Sequence, residues 1–402
     1  MGSKLFIAVY KPDEAKTILH SRNCMNKSIF YKFVQPAFGM ESLLISESMW
    51  SRLRIMTAPT FSSFMIKSFF NTFVEQSLAL TCKLEKVGLN KNEIIYVEHI
   101  LNYTWRIACD CIMGIKLEPT KYNQCIKAIQ RLKKIVSCRL VNIYIYYFDI
   151  IFNLTPLGRK QEKNLNLLHS IIDEMIQQRI ELKNVNTIEN EKNRTYRTFF
   201  DVQMDACRKQ NFTQQEIHNN VITMLLTEKV YQELLNIYGT ETIKSASIKY
   251  DDLQHMHYLD RVIKETLRIF PPAPLIGRQI TKDLKIGEVV LPKGADIIIG
   301  ILKMHRDEEY WSNPMMFDPD RFLPERIKDC HLCYLPFSEG PRNCMGMKYG
   351  MMCLKVMIAT LVRTFIFKVN KSIEIYQIKL ELGVLLSPKK PLKVKIEKRC
   401  FQ

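Results

Sequence analysis

The run Phe337-Ser-Glu-Gly340-Pro-Arg342-Asn-Cys344-Met-Gly346 leads straight into a long apolar segment, Met347 to Phe365. That segment reads as a buried helix, so Cys344 lies just before a helix N-terminus. There the helix dipole and the free backbone N–H groups favour a thiolate over a thiol. Gly340 and Gly346 permit backbone angles and close approaches that a side chain would block, and Arg342 adds a cation two residues from the sulfur. The loop suits a cysteine that binds a soft or borderline metal from one side. A lone cysteine in a turn is ordinarily a small core hydrophobe. Here five residues, Phe337, Gly340, Arg342, Cys344 and Gly346, stand at fixed offsets, and chance matches to such a spacing are rare.

The remainder of the chain has to build a body around that loop. Its 402 residues, 47% of them hydrophobic, can bury a large core. No Gly/Ser/Pro-rich linker, low-complexity run or repeat divides it, so one large domain is expected. Helical spacing runs over 46–87, 94–117, 122–139 and 157–183, the last through Leu165, Leu168, Ile171, Ile172 and Met175. Thr213-Gln-Gln-Glu216 is a capping box that opens a further helix. Residues 258–269 form another, stopped by Pro271-Pro272. Strands are expected at Lys4 to Tyr10 and Leu43 to Ile45. Leu284 to Leu291 and Ala295 to Leu302 should form two more, joined by a Pro292-Lys-Gly294 turn. Residues 313–324 read as a proline-punctuated meander, and the chain ends in hairpin-like strands. The fold class is mainly α with a small β region.

Charge and cysteine usage narrow the setting. Lys and Arg number 58 against 41 Asp and Glu, a net charge of +17, which calls for an acidic partner or an anionic surface. No basic–aromatic recognition motif accompanies it, so nucleic acid is not expected. Twelve cysteines scattered through a chain of this size read as reduced thiols facing a cytosol. Cys330-His-Leu-Cys333 is a CxxC with no second pair at zinc-ligand spacing. No stretch is long enough to span a bilayer. The nearest, Leu140 to Leu154, carries Asp149 and reads first as a core helix, with a surface that dips into a bilayer as the alternative.

Taken together, Phe-x-x-Gly-x-Arg-x-Cys-x-Gly resembles the heme-binding signature of the cytochrome P-450 monooxygenases. Other motifs support the resemblance. Glu265-Thr-Leu-Arg268, with Arg321 of Phe317-Asp-Pro-Asp-Arg321-Phe322, is similar to that family's buried Glu–Arg–Arg network. Trp50-Ser-Arg-Leu-Arg54 is similar to its Trp-x-x-x-Arg motif. Arg278 and the string through His305-Arg306-Asp307 and Trp311-Ser-Asn-Pro314 extend the likeness. It is strong over 229–367, weaker over 1–211, and nearest to the fourth-family fatty-acid hydroxylase branch in its insect form.

The resemblance implies heme b held by Cys344. Trp50, Arg54, Arg278, Phe337, Arg342 and Gly346 would contact the cofactor, and Glu265, Arg268 and Arg321 would form the structural network. It further implies electrons from NADPH through an acidic flavoprotein reductase, with Lys348 a docking contact. An apolar substrate (fatty acid, hydrocarbon or xenobiotic), a monomer, and peripheral attachment to the cytosolic face of the endoplasmic reticulum membrane also follow.

Two departures qualify this. The family's anchor and proline hinge would precede the first residues here, so truncation at the N-terminus is expected. The family's oxygen-activating Gly-x-Asp/Glu-Thr motif, midway along the long helix over the heme, does not occur. Residues 213–226 resemble the start of that helix, and Glu228 to Leu234 already resembles the next. An internal deletion of ~20 or more residues (~30 Å of helix) is therefore expected. Thr223, Thr227 and Glu228 are the polar residues left nearby, and none has the motif around it, so no catalytic residue is assigned. The alternative function is a catalytically inactive heme-binding remnant from an incomplete gene model or splice form. A zinc or nucleic-acid protein is the weakest reading.

Overall fold

The computed structural model describes residues 5–38, 47–89, 93–185, 198–202, 204, 248–327, 331–368, 375–391 and 393–399. In chain order the main elements begin with β1 (Phe6–Val9), α1 (Pro12–His20), α2 (Glu47–Thr57), α3 (Phe70–Gly88) and α4 (Val97–Ile112). Next come α5 (Pro119–Val141), α6 (Pro156–Val185), α7 (His257–Ile269), β2 (Ile276–Gln279), β3 (Leu284–Ile286) and β4 (Val289–Leu291). The series ends with β5 (Asp296–Ile299), α8 (Met347–Thr364), β6 (Phe365–Lys368), β7 (Leu380–Leu382), β8 (Leu386–Pro388) and β9 (Lys395–Lys398). The mainly α expectation holds.

Two helical layers supply the core. Leu53, Trp105, Cys109, Tyr122, Leu168 and Met175 join α2, α4, α5 and α6 in one cluster. Phe73, Leu80, Ile107, Val356, Met357 and Phe365 join α3, α4 and α8 in another. Each large apolar side chain buried this way stabilises the fold by about 1.5–3 kcal/mol. α8 is therefore fixed on its buried face, and the loop ahead of it inherits a fixed anchor. Pro12 opens α1, with Asp13 and Glu14 in its first turn and His20 in its last, as the helix dipole favours.

A small sheet completes the frame. β1 pairs in parallel with β5, and β5 pairs antiparallel with β2. The segment before α2 is tied to this sheet. Gln279 N–H donates to Asn26 O at 2.9 Å, Thr281 N–H to Asn23 O at 2.8 Å, and Ile29 N–H to the buried Asp296 Oδ1 at 2.9 Å. Lys27 is thereby held alongside Arg278 of β2.

Three expectations need correction. Leu284 to Leu291 is not one strand but a hairpin, β3 against β4, because Gly287 adopts φ +57° and lets the chain reverse. Ala295 to Leu302 is strand only as far as Ile299, and Ile301–His305 turns into a short helix. Leu140 to Leu154 is not a core helix. Asn142 leaves helical geometry and Phe148 is extended, so two short helices replace it, Ile143–Tyr146 and Asp149–Leu154. Asp149 pairs with the buried Arg139 at 2.7 Å, which turns the neighbouring apolar residues outward. Ile150 is 80% and Leu154 78% exposed, whereas Phe152 is buried. Leu43 to Ile45 and the capping box at Thr213 lie outside the described residues. Among the described residues no helix is long and apolar enough to cross a membrane.

Candidate functional site

Cys344 sits just ahead of α8, whose N-cap is Gly346. A set of backbone hydrogen bonds closes the loop around it. Cys344 N–H donates to Phe337 O at 2.9 Å, Asn343 N–H to Gly340 O at 3.1 Å, and Ser338 N–H to Leu335 O at 3.1 Å. Gly340 has φ +74°, and a Cβ there would stand 2.2 Å from the Leu19 carbonyl oxygen of α1. Both facts require glycine. Gly346 differs from expectation, with an ordinary φ of −78°. A Cβ on it would meet Phe61 at 3.8 Å and the Cys344 sulfur at 3.9 Å, which is normal contact. The Phe337 ring packs against the cluster of Ile263, Leu267, Phe270 and Leu354, tying the loop to α7 and α8.

Cations stand on and around this loop. Arg54 of α2 donates from Nη1 to Asn343 O at 2.7 Å and from Nη2 to Asn343 Oδ1 at 2.5 Å. It lies close enough to Cys344 for the two to interact electrostatically, though burial still pulls its pKa down. Arg342 donates from Nε to Met25 O at 3.1 Å, and its guanidinium stacks 4.9 Å from the Trp50 ring. Arg278 is 1% exposed; its Nη1 donates to Gly277 O at 3.1 Å, while its buried Nη2 has no protein partner. Burial, then the positive charges of Arg278 and Arg342, hold the Lys27 ammonium well below its usual pKa. Arg54 thus meets Cys344 and Asn343, Trp50 meets Arg342, and Lys27 stands between Arg342 and Arg278.

Behind the loop lies a buried charge network. Glu265 Oε2 accepts from Arg268 Nε at 2.7 Å, and Oε1 accepts from Arg268 Nη2 at 2.8 Å and from Asp318 N–H at 3.0 Å. Arg321 Nε approaches Glu265 Oε1 at 3.4 Å. Arg268 also donates to the carbonyls of His305 and Pro314, each at 2.7 Å. Arg321 Nη2 donates to Asn313 O at 2.9 Å. The i, i+3 spacing on α7 puts Glu265 and Arg268 on one face, and Arg321, expected from the family resemblance, reaches them from the meander.

Cofactor chemistry fits this arrangement. Lys27, Arg278 and Arg342 form a cation cluster, and among the described residues no carboxylate pairs with Arg278 or Lys27. A buried, unpartnered guanidinium N–H is costly, so the cluster suits an acidic group supplied by a ligand beside the thiol. Two heme propionates are such groups.

Comparison with known proteins decides the family. The cytochrome P450 family matches the chain over residues 1–227 and 226–396. The chain belongs to the cytochrome P450 family. Among its relatives, Cytochrome P450 4c21 of Blattella germanica is 27% identical, covering 99% of this chain and 85% of that protein. Cytochrome P450 4V2 of Mus musculus is 28% identical, covering 99% and 81%. Cytochrome P450 4g1 of Drosophila melanogaster is 28% identical, covering 100% and 82%. All three carry fourth-family names. The mouse protein is as similar as the insect ones.

Family membership makes this chain, by descent, a heme-thiolate monooxygenase. The zinc reading finds no support. Cys333 is buried in a cluster with Trp311 and Phe322, Cys330 lies outside the described residues, and among the described residues no three metal-binding side chains converge. Sequence reasoning missed three contributors. Asn343 occupies a variable position of the signature, Lys27 belongs to no motif, and His305 was read only as part of a familiar string.

Proposed function

We propose that this chain binds heme b through the Cys344 thiolate and accepts electrons from an NADPH-dependent flavoprotein reductase. The substrate class is apolar: a fatty acid, hydrocarbon or xenobiotic. The observation that carries the reading is Cys344 at the head of α8 with Arg54 in its field, on a loop whose Arg342 faces the Lys27 and Arg278 cations. Bound heme would supply the one-electron and dioxygen chemistry.

The protein's own residues would do the rest. Cys344 would hold the iron through its sulfur, with its backbone N–H already engaged by Phe337 O. Arg54 steadies Asn343, and two of its five donors are thereby used; others remain for a propionate. Arg278, Arg342 and Lys27 would neutralise the propionates, with Trp50 stacked under Arg342. The Glu265–Arg268–Arg321 network would keep the meander and the loop in register. Lys348, exposed beside Ser63 and the 81% exposed Phe64, is a contact for an acidic reductase. The chain would act as a monomeric single domain, resting on the endoplasmic reticulum membrane through 141–154.

One observation favours a second reading, an inactive heme-binding form. The family match comes in two segments that meet at residues 226–227. The alignment with the cockroach relative runs over 439 positions although this chain has 402 residues. Relatives therefore carry residues for which this chain has no counterpart. The run 213–234 holds no Gly-x-Asp/Glu-Thr, the motif whose carboxylate and hydroxyl handle protons on the oxygen side.

One spectrum tests the first reading. Reduced protein with carbon monoxide should give the red-shifted Soret band of thiolate-bound heme, and Cys344→Ala should abolish it. Absence of heme uptake by the wild type would sink the proposal. A normal band without product, when reductase and fatty acid are supplied, would select the second reading. Sequencing the transcript around codons 211–232 would show whether the break is genuine.

A further inference from the structure

His305 stands at the C-terminal end of the short helix Ile301–His305, fully buried and remote in sequence from the cysteine loop. Its hydrogen bonds nonetheless span the distance. Leu335 N–H donates to His305 Nε2 at 2.8 Å. That bond requires a lone pair on Nε2, which assigns the ring proton to Nδ1. Nδ1 then donates to the Arg268 carbonyl at 3.1 Å. The Arg268 guanidinium returns a bond from Nη1 to the His305 carbonyl at 2.7 Å. Arg268 and His305 are therefore clasped twice, backbone to side chain in each direction.

The imidazole is also held face-on. It stacks on the Tyr334 ring with centroids 5.4 Å apart and planes 23° apart, and the Tyr334 hydroxyl donates to the Lys264 carbonyl of α7 at 3.1 Å. Leu335, the residue His305 grips, accepts from Ser338 N–H through its carbonyl, and Phe337 O accepts from Cys344 N–H. A continuous chain thus runs from Glu265 through Arg268, His305 and Leu335 to the Phe337–Cys344 turn. Among the described residues His305 is the side chain that joins the charge network to the backbone entering that turn.

We propose that His305 is a positioning residue, which transmits the rigidity of the Glu265–Arg268–Arg321 network to the cysteine loop through its bond to the Leu335 N–H. The proposal rests on the heme-thiolate reading for its consequence at iron, but not for the bond itself. Outer-shell partners that orient metal ligands act in this way, and their loss typically weakens metal binding by about 10–100-fold.

The test uses the full chain and two variants. His305→Phe keeps the ring and its stacking but removes both nitrogens. His305→Gln restores one donor and one acceptor. The first readout is amide hydrogen exchange of the heme-free protein: His305→Phe should expose the amides of Leu335, Ser338 and Cys344 by about 10-fold or more, while amides in α3 and α5 stay unchanged. The second is the reduced carbon monoxide complex together with heme transfer to an acceptor globin. His305→Phe should lose heme about 10-fold faster and shift its band from the thiolate to the neutral-thiol position. His305→Gln should recover both.

Unchanged exchange at Leu335 and Ser338 in a folded His305→Phe would overturn the proposal. So would a folded His305→Gln no better than His305→Phe. If the Phe variant does not fold, the Gln variant decides: wild-type protection at Leu335 upholds the role, and its loss overturns it. Failure of both to fold also overturns it, since the histidine would then serve the whole fold rather than the loop. A wild type that takes up no heme defeats the heme reading alone, and the exchange measurement still judges His305.

Discussion

Glu265 is fully buried between two arginines, and among the described residues its carboxylate is the counter-charge they share. Glu265→Gln keeps the shape and removes the charge. It should cost about 3–5 kcal/mol, because two cations stay buried without compensation; a denaturant titration of the heme-free protein would measure it. Gly340→Ala should cost at least about 1 kcal/mol and loosen the loop, since the new Cβ would meet a backbone oxygen of α1 at an unfavourable φ. Thermal unfolding compares the two proteins. Burial pushes the His305 imidazole down to about 3, against the bond to the Arg268 carbonyl that favours protonation. A histidine with a lowered folded pKa leaves the unfolded chain holding more protons between about pH 3 and 6.5. Stability is then complete above pH 6.5 and falls with acid at up to about 1.4 kcal/mol per pH unit. His305→Gln should flatten that slope in an acid titration of the unfolding midpoint. At this scale Glu265 with Arg268, and Trp50 with Arg54, were legible because their spacing is local, and Arg278 and Arg321 through their likeness to family motifs. Lys27, Asn343 and His305 were not, because each draws its role from a partner at least thirty positions away.

Between α3 and α4 lies a second titrating group with the opposite sign. Asp110 is buried on α4 and accepts from Gln76 Nε2 of α3 at 3.0 Å. Burial raises its pKa to about 6, against the pull of Lys116, the Gln76 bond and Arg106. The folded protein holds this proton longer than the unfolded chain, so the helix pair is most stable below about pH 4 and loses stability as pH rises to 6. Asp110→Asn should remove that loss and raise stability at pH 7 by about 1–2 kcal/mol, read from the pH dependence of unfolding in wild type and variant. Element identity was mostly visible in the sequence. The apolar periods of α3 to α8 mark faces that pack, and Pro271-Pro272 ends α7 where expected. The 284–302 region failed because alternation cannot tell one strand from a hairpin folded at a glycine. β5 takes its partners from residues 6–9 and 276–279 rather than from its neighbour in sequence.

At the scale of the whole molecule, the run 141–154 presents Ile145, Phe148, Ile150, Ile151 and Leu154 to solvent. If it rests on a membrane, the protein should co-float with phosphatidylserine-containing vesicles. Ile150→Asp with Leu154→Asp should reduce the bound fraction several-fold without changing the unfolding midpoint, because both side chains are exposed. Unchanged flotation would remove this face from consideration.

The sequence by itself determined the family, the mainly α build, the cysteine with its loop, and the Glu265–Arg268–Arg321 and Trp50–Arg54 sets. The Glu265–Arg268 and Trp50–Arg54 pairs are written in local spacing that helix geometry converts into a shared face, while Arg321 was legible only through the likeness of its string to a family motif. Only the tertiary structure decided the rest. It turned 141–154 outward by pairing Arg139 with Asp149, set Lys27 beside Arg278 by bridging Asn26 to Gln279, and linked the charge network to the Cys344 loop through His305. Those outcomes depend on which distant segments close-pack, and no periodicity records that.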